Sequence, residues 1–476
     1  MTVLRPYQEN DVRALRAAFK RHRRVLYQLP TGGGKTVVYS WLSQAVASRG
    51  KRVTILEHRR ELVAQASAKL LDAGVEHGII DATSKGISRQ PVLVASVMTL
   101  VRRLEHYAPP DLLVIDEAHH AVAGTWDAII RAYDRSLVLG VTATPERLDG
   151  KGLRSHFDEL VQGPPVRELI DGGFLADYVA YRRPQGDPDL TGVHTTAGDY
   201  DKHELAELMC DADLVGDAVE HYQRHAAGKP AIAFCVTIEH AELVAAAFQA
   251  AGIRAFSVDG TMAPGLRDQR IGGLATGETQ VLTSCMLVSE GLDIPGIVAA
   301  ILMRPTQSLA LYLQQVGRSL RPKDGQPAII LDHAGNMERH GMPCDHRKWS
   351  LEDRKKKGKA PSPVKTCFSC YATVAASCRV CPHCGAVFPV LAKEPPGYVN
   401  GKLVETKPVW SKFPRNREGI DAAVSQVRSF KDLKDLGKAM GFNKGWAYHR
   451  AEALGWEKVT NYAGYTTNFI PHRKAG

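Results

Sequence analysis

At 476 residues the chain is long enough for about three domains, and no apolar stretch in it reaches the length that crosses a bilayer. Its 61 Lys and Arg against 51 Asp and Glu leave a formal charge of +10, a basic surplus that suits a polyanionic partner without proving one. The N-terminal stretch has no apolar core of signal-peptide length, and five of the nine cysteines fall between Cys367 and Cys384, so we expect a soluble cytoplasmic protein with no membrane partner and a metal cluster instead of disulfides.

The first predicted strand, "VLYQLP" from Val25, runs into "LPTGGGKT" and then into a helical pattern that ends at Gly50. Strand, glycine-rich loop and helix form a phosphate cradle. Gly32, Gly33 and Gly34 let backbone amides converge on an anion, Lys35 would reach the β and γ phosphates, and Thr36 would hold Mg²⁺. The strict pattern wants glycine where Leu29 stands, and a plain glycine turn at a helix start competes as a reading. The partner motif comes later in the same rhythm. After "VTILEH" and "VLVASV", the run "LLVIDEAHH" ends a buried strand in two carboxylates, of which Asp116 would contact Mg²⁺ and Glu117 would orient or deprotonate the attacking water. An acidic strand end capping the next helix is the plainer alternative, and the upstream lysine loop decides against it. With "LVLGVTAT" closing the series, the alternation is that of a doubly wound parallel sheet.

The stretch from Gly163 to Lys229 is more polar and reads as a join. A second α/β rhythm follows in "AIAFCV", "AFSVD", "QVLTSC", "VAAILM" and "AIILDHA". Between its last two strands, "YLQQVGRSLRP" carries Arg318 and Arg321 at helical spacing, candidate arginine fingers if the second domain faces the phosphate loop of the first. Beyond Gly341 the rhythm stops and "EDRKKKGKAPSP" reads as a basic linker. Cys367 and Cys370, then Cys381 and Cys384, give C-x2-C, ten residues, C-x2-C, with Gly385 turning the second knuckle. That spacing points to one structural Zn²⁺; Cys378 and His383 are weaker candidates as ligands. The tail carries one plausible helix pair, and Phe442, Trp446 and Tyr448 among cations could stack on bases or simply pack a small core.

In this order the motifs resemble those of a superfamily 2 helicase of the DEAH-box type, over about residues 4 to 340. "LRPYQ" resembles the adenine-recognition motif, with Gln8 as reader and Arg5 beside it; the loop from Thr31 to Thr36 resembles the helicase phosphate loop, whose first glycine is commonly replaced. Asp116, Glu117, Ala118 and His119 spell the family box, and "VTATPER" resembles the coupling motif through Thr142 and Thr144. The resemblance implies nucleotide contacts from Gly291, Asp293 and Gln314, and nucleic-acid contacts from Arg60, Thr99 and Thr283. At Gln315 the family often has arginine, so the sequence departs from the finger motif there.

The implied architecture is two tandem RecA-like parallel-sheet domains, residues 1–162 and 163–340, a linker over 341–365, a zinc ribbon over 366–390 and a C-terminal accessory region with a short helical tail over 391–476. The implied activity is hydrolysis of ATP with Mg²⁺, coupled to a nucleic-acid partner, DNA with single-stranded or branched regions. "IILDHAGN", the four cysteines and the basic tail look most like the RadD-type repair ATPases and their phage-borne relatives, with repair or single-strand-binding proteins as further partners. A remodelling clamp that unwinds nothing, or the motor of a restriction or defence complex, would carry the same motifs.

Overall fold

The computed structural model describes residues 3–120, 124–183, 187–196, 198–285, 296–321, 325–353, 363–388, 417–443, 445–460 and 467–470. Helix α1 (Pro6–Phe19) takes Pro6 at its first turn, where the missing amide costs nothing, and turns Val12, Leu15 and Ala18 inward at three-residue spacing. It leads to β1 (Arg24–Gln28), α2 (Lys35–Ala47), β2 (Val53–Glu57), α3 (Arg60–Asp72), β3 (Gly78–Ile80), β4 (Val92–Ser96), α4 (Val97–Leu100), β5 (Leu112–Ile115), α5 (Gly124–Ala132), β6 (Leu137–Thr142) and β7 (Glu159–Gln162). The seven strands pair in parallel in the order β3-β4-β2-β5-β6-β1-β7. Every residue of β2 and β5 is buried, as befits strands covered on both faces, and that double burial makes them continuous apolar runs in the sequence.

The connecting stretch does more than join. It supplies α6 (Val166–Asp171), then β8 (Tyr178–Arg182), the short hairpin of β9 (Thr195–Thr196) and β10 (Asp199–Tyr200), and the helices α7 (Lys202–Met209) and α8 (Ala212–Ala226). Next come β11 (Ala231–Cys235), α9 (Ile238–Ala250), β12 (Ala255–Val258), α10 (Pro264–Thr276), β13 (Val281–Cys285), β14 (Ala299–Leu302), α11 (Leu309–Gly317), β15 (Ala328–Asp332) and α12 (Asn336–His340). This second sheet is also parallel, in the order β12-β13-β11-β14-β15-β8, with Tyr178 opposite Ala328 and Arg182 opposite Asp332. Leu169, Ile170 and Leu175 of the connecting stretch continue the core of the first sheet toward that of the second. Both sheets are of the RecA-like kind.

The sequence reads as linker from Gly341 onward, but residues 341–353 form a strap that returns to the first domain. Leu351 is buried among Leu153 and Phe157, and its carbonyl accepts from the amides of Leu153 at 2.8 Å and Arg154 at 3.0 Å. Beyond the strap, β16 (Val364–Thr366) and β17 (Thr373–Ala375) form the antiparallel core of the cysteine module, which touches β8 through a bridge between Tyr181 and Ala372.

Residues 390–476 are a separate compact unit. Its described part has α13 (Arg417–Ser425), α14 (Phe430–Met440), α15 (Trp446–Ala453) and the pair β18 (Glu457–Thr460) and β19 (Thr467–Ile470). The first helix of the predicted pair is split, because the Ser429 hydroxyl accepts from the Asp432 amide and starts α14 afresh. Trp446 stacks on Phe442 with centroids 4.7 Å apart, and Tyr448 meets Phe430 edge-on at 5.0 Å, so the aromatics of this segment pack a small core. Among the described residues no helix is long and apolar enough to cross a membrane.

Candidate functional site

The loop after β1 is built as its sequence requires. Gly32 and Gly34 both have φ of 85°, where a side chain would be strained, and Gly34 precedes the first turn of α2, whose amides are thereby aimed at an anion. Leu29, the departure from the strict pattern, is wholly buried; a Cβ on Gly33 would meet its Cγ at 2.8 Å, so the leucine fills the space under the loop. Lys35 Nζ lies 3.5 Å from the Leu29 carbonyl. Gln8 and Tyr7 brace the same loop, donating to the Gly33 carbonyl at 3.2 Å and 2.7 Å. Arg5 lies over the Phe174 ring at 5.3 Å. That ring, from the connecting stretch, had no signal in the sequence.

Facing the loop are three carboxylates. Asp116 and Glu117 follow β5, and Glu57 ends β2, buried, with Oε2 lacking a hydrogen-bond partner among the described residues. Burial first, then the Glu117 charge, pushes the Asp116 carboxyl up to about 6, against the pull of Lys35; burial and both neighbours raise Glu57 well above its ordinary value. A compact excess of hard oxygen donors beside the Thr36 hydroxyl fits a divalent cation such as Mg²⁺. Glu57 was missed in the sequence, although an acidic residue closing the apolar run "VTILE" is the same sign that marked Asp116.

Glu117 has φ of 45°, and its amide donates to Asp116 Oδ1 at 2.8 Å. A non-glycine residue held there costs about 1–3 kcal/mol, and such strain collects where a side chain must be aimed. Its Oε2 lies 3.4 Å from His119 Nδ1, which in turn lies 3.0 Å from Thr142 Oγ1. Thr142 donates to the Thr144 carbonyl and accepts from the Thr144 amide. Glu117 is thus linked through His119 to the end of β6 and the segment after it.

The second domain completes the cleft. Gln314 Nε2 reaches Glu117 Oε2 at 3.5 Å, and Arg318 and Arg321 line the same space, about 1090 Å³, as Thr31, Gly32, Gly34, Lys35, Thr36, Asp116 and Glu117. Helix α11 ends at Gly317, so a turn instead of a regular helix face carries the two arginines. Arg318 is 7% exposed, and Gln315 is buried. An ion pair between Arg267 and Glu61 at 3.5 Å also spans the domains.

Other predicted contacts separate. Arg60 is exposed at the start of α3 and Thr99 half-buried in α4, just past the carboxyl ends of β2 and β4. Thr283 does not reach a surface: it is wholly buried within β13, and its hydroxyl donates to the Ala241 carbonyl at 2.6 Å. Gly291 and Asp293 lie outside the described residues.

In the cysteine module the ligand atoms of Cys367, Cys370, Cys381 and Cys384 all lie within 4.8 Å of one another, with sulfur pairs at 3.6 Å and 3.7 Å. Four thiolates around Zn²⁺, with Zn–S near 2.3 Å, sit about 3.8 Å apart, so the set fits that ion. Cys378 and His383 are not part of the cluster. Apart from cysteines the module's core holds little beyond Val374, Ala386 and Phe388. Metal analysis of the purified chain is therefore expected to give about one Zn²⁺ per chain, and Cys381→Ser to lose both the metal and the module's protease resistance; a folded module without metal would remove the zinc centre.

Residues 1–147 match the family described as type III restriction enzyme, res subunit, and residues 213–323 match the helicase conserved C-terminal domain. The chain is 34% identical over 372 residues to a 51.5 kDa protein of a Lactococcus phage, covering 77% of this chain and 79% of that one. It is 33% identical over 344 residues to the Saccharomyces cerevisiae protein IRC3, described as an ATP-dependent helicase, covering 67% of this chain but only 49% of the yeast protein. Among solved structures, a fragment of an HsdR subunit of a type I restriction enzyme from Vibrio vulnificus superposes with a TM-score of 0.57 at 22% identity, over 71% of this chain and 65% of that one.

Proposed function

Because the chain belongs to helicase superfamily 2 and is an ATP hydrolase of the helicase type, we propose that it is a motor in which closure of two RecA-like domains on ATP drives stepwise movement on DNA. The observation that carries this reading is the shared cleft: Lys35, Asp116 and Glu117 come from one domain, Gln314, Arg318 and Arg321 from the other. Bound Mg²⁺ would offset phosphate charge beside Asp116, Glu57 and Thr36. The chain's own groups do the rest. The loop amides and Lys35 hold the phosphates, Glu117 takes the proton of the attacking water, and the arginines meet charge as it develops between the phosphate oxygens. Hydrolysis then depends on closure, and the Glu117–His119–Thr142 chain gives the segment after β6 a means to sense the state of the base.

Arg60 and Thr99, beyond the carboxyl ends of their strands, would grip phosphates of the track, with binding largely independent of sequence and weakened by salt. Repair of DNA with single-stranded or branched regions, in the cytoplasm, is the setting suggested by the RadD-type resemblance. A second reading, the motor of a restriction or defence complex, is favoured by the restriction-subunit match of residues 1–147 and the HsdR-like fold. Co-purification of a nuclease or methyltransferase subunit would support it, and release of a strand from a forked substrate separates a motor from a clamp.

The test is ATP hydrolysis at fixed low salt without nucleic acid, with single-stranded DNA, with duplex DNA and with RNA. Strong stimulation by DNA is expected. No stimulation by any polymer would overturn the motor-on-a-track reading and favour a protein-remodelling switch.

A further inference from the structure

Tyr371 follows Cys370 at the position where the second knuckle has Gly385 after Cys384. Gly385 has φ of 75°, which closes the turn under the thiolates, and Tyr371 adopts the same left-handed conformation with φ of 60°. A tyrosine is strained there and glycine is not. Anchoring the module does not account for the tyrosine: its side chain is 51% exposed, while the bridge to Tyr181 is made by the buried Ala372 next to it.

The ring lines an open pocket of about 620 Å³ at the carboxyl ends of β8 and β15. The other walls are Tyr181 and Arg182, His221, Arg224 and His225 of α8, and the end of β15 through His333. Ligands of parallel sheets favour this end of the strands. Flat faces are already stacked in the walls, Tyr181 on His225 at 3.9 Å and His221 on His333 at 5.1 Å. Burial holds the three imidazoles below their ordinary value, so the rings are neutral near pH 7. His333 is enclosed, and its Nδ1 has no hydrogen-bond partner among the described residues. The carboxylate on this wall, Asp332, is occupied by the amides of Ala334 and Met337. Arg182 is held by Asp187 and Glu338, whereas Arg224 pairs, among the described residues, with the exposed Glu220, a screened contact that a phosphate can displace.

We propose that this pocket takes one unpaired nucleobase of a single strand, stacked on Tyr371, with the adjoining phosphate met by Arg224. It rests on the nucleic-acid-track reading and adds a grip outside the cleft between the domains. A base stacked on one aromatic ring tolerates any sequence, which suits a motor.

The test uses the full chain and a fluorescent deoxythymidine 12-mer, read by anisotropy at fixed low salt. Tyr371→Gly relieves the backbone strain, so zinc content and thermal midpoint should hold while affinity falls about tenfold, and Tyr371→Phe should bind like wild type. Arg224→Ala, in α8 and outside the zinc module's sequence, should weaken binding and lower the salt slope by about 1. Wild-type affinity in both Tyr371→Gly and Arg224→Ala overturns the pocket. Competition by thymidine monophosphate that depends on Tyr371 would support the pocket, because a base with its phosphate is what the strand places there; thymidine monophosphate binding that leaves the 12-mer bound would overturn the strand as its occupant. Failure of the unaltered chain to bind any strand would instead overturn the track reading, and the pocket with it.

Discussion

Glu117→Gln is expected to lower ATP turnover about 10²–10⁴-fold while leaving nucleotide affinity within a few-fold of wild type. Glutamine keeps the size of the side chain and can occupy the same left-handed backbone position, so the loss would report the missing base and not a collapsed loop. Lys35→Ala would differ in kind, since it removes a phosphate contact and should weaken binding as well as turnover. The pH dependence follows from the neighbouring group. Asp116 is pushed up to about 6, so its carboxylate form is lost as pH falls through that value, and the proton competes there with the divalent cation. Turnover should therefore show an acid limb with a midpoint near 6 at low free Mg²⁺, moving to lower pH as Mg²⁺ rises. A limb insensitive to Mg²⁺ would place the metal elsewhere, and near-normal turnover in Glu117→Gln would remove the residue from the chemistry.

The parts of this site legible in the sequence share a physical cause. A strand buried on both faces must be apolar throughout, so two charges at its end, as in "LLVIDE", stand out against the background. Glycines with positive φ and paired cysteines leave similar marks. What stayed hidden depends on contacts between distant segments. Strand β8 is a short edge strand with an irregular burial pattern, and nothing in "YVAYR" says which sheet it joins. The strap over residues 341–353 is held by the buried Leu351, backbone hydrogen bonds and scattered side-chain contacts such as Arg154 with Glu352 and the Gly152 amide with Asp353, none of which has a sequence period. Thr283 sits in the motif that marks a strand contact, yet the register of β13 between β11 and β12 encloses it. Motif position names a residue; only the packing tells which way it is spent.

Arg318→Ala is expected to lower turnover about 10³–10⁵-fold, the larger effect of the two arginines because Arg318 is nearly enclosed and Arg321 is not. Lysine should restore little, since a single ammonium cannot span two phosphate oxygens as a planar guanidinium does. A structural role for Arg318 would give a lower thermal midpoint with a matching loss of nucleotide binding, and that pattern would sink the assignment. A finer test comes from its neighbour. A Cβ added to Gly317 would meet the Thr31 Cβ at 2.5 Å, so Gly317→Ala forces α11 and the phosphate loop apart without removing either guanidinium group from the chain. If catalysis depends on domain closure bringing the arginines to the phosphates, Gly317→Ala should reproduce most of the Arg318→Ala defect, with ATP still bound by the first domain. If it turns over ATP normally, the arginines act without that approach, and closure is not what gates hydrolysis.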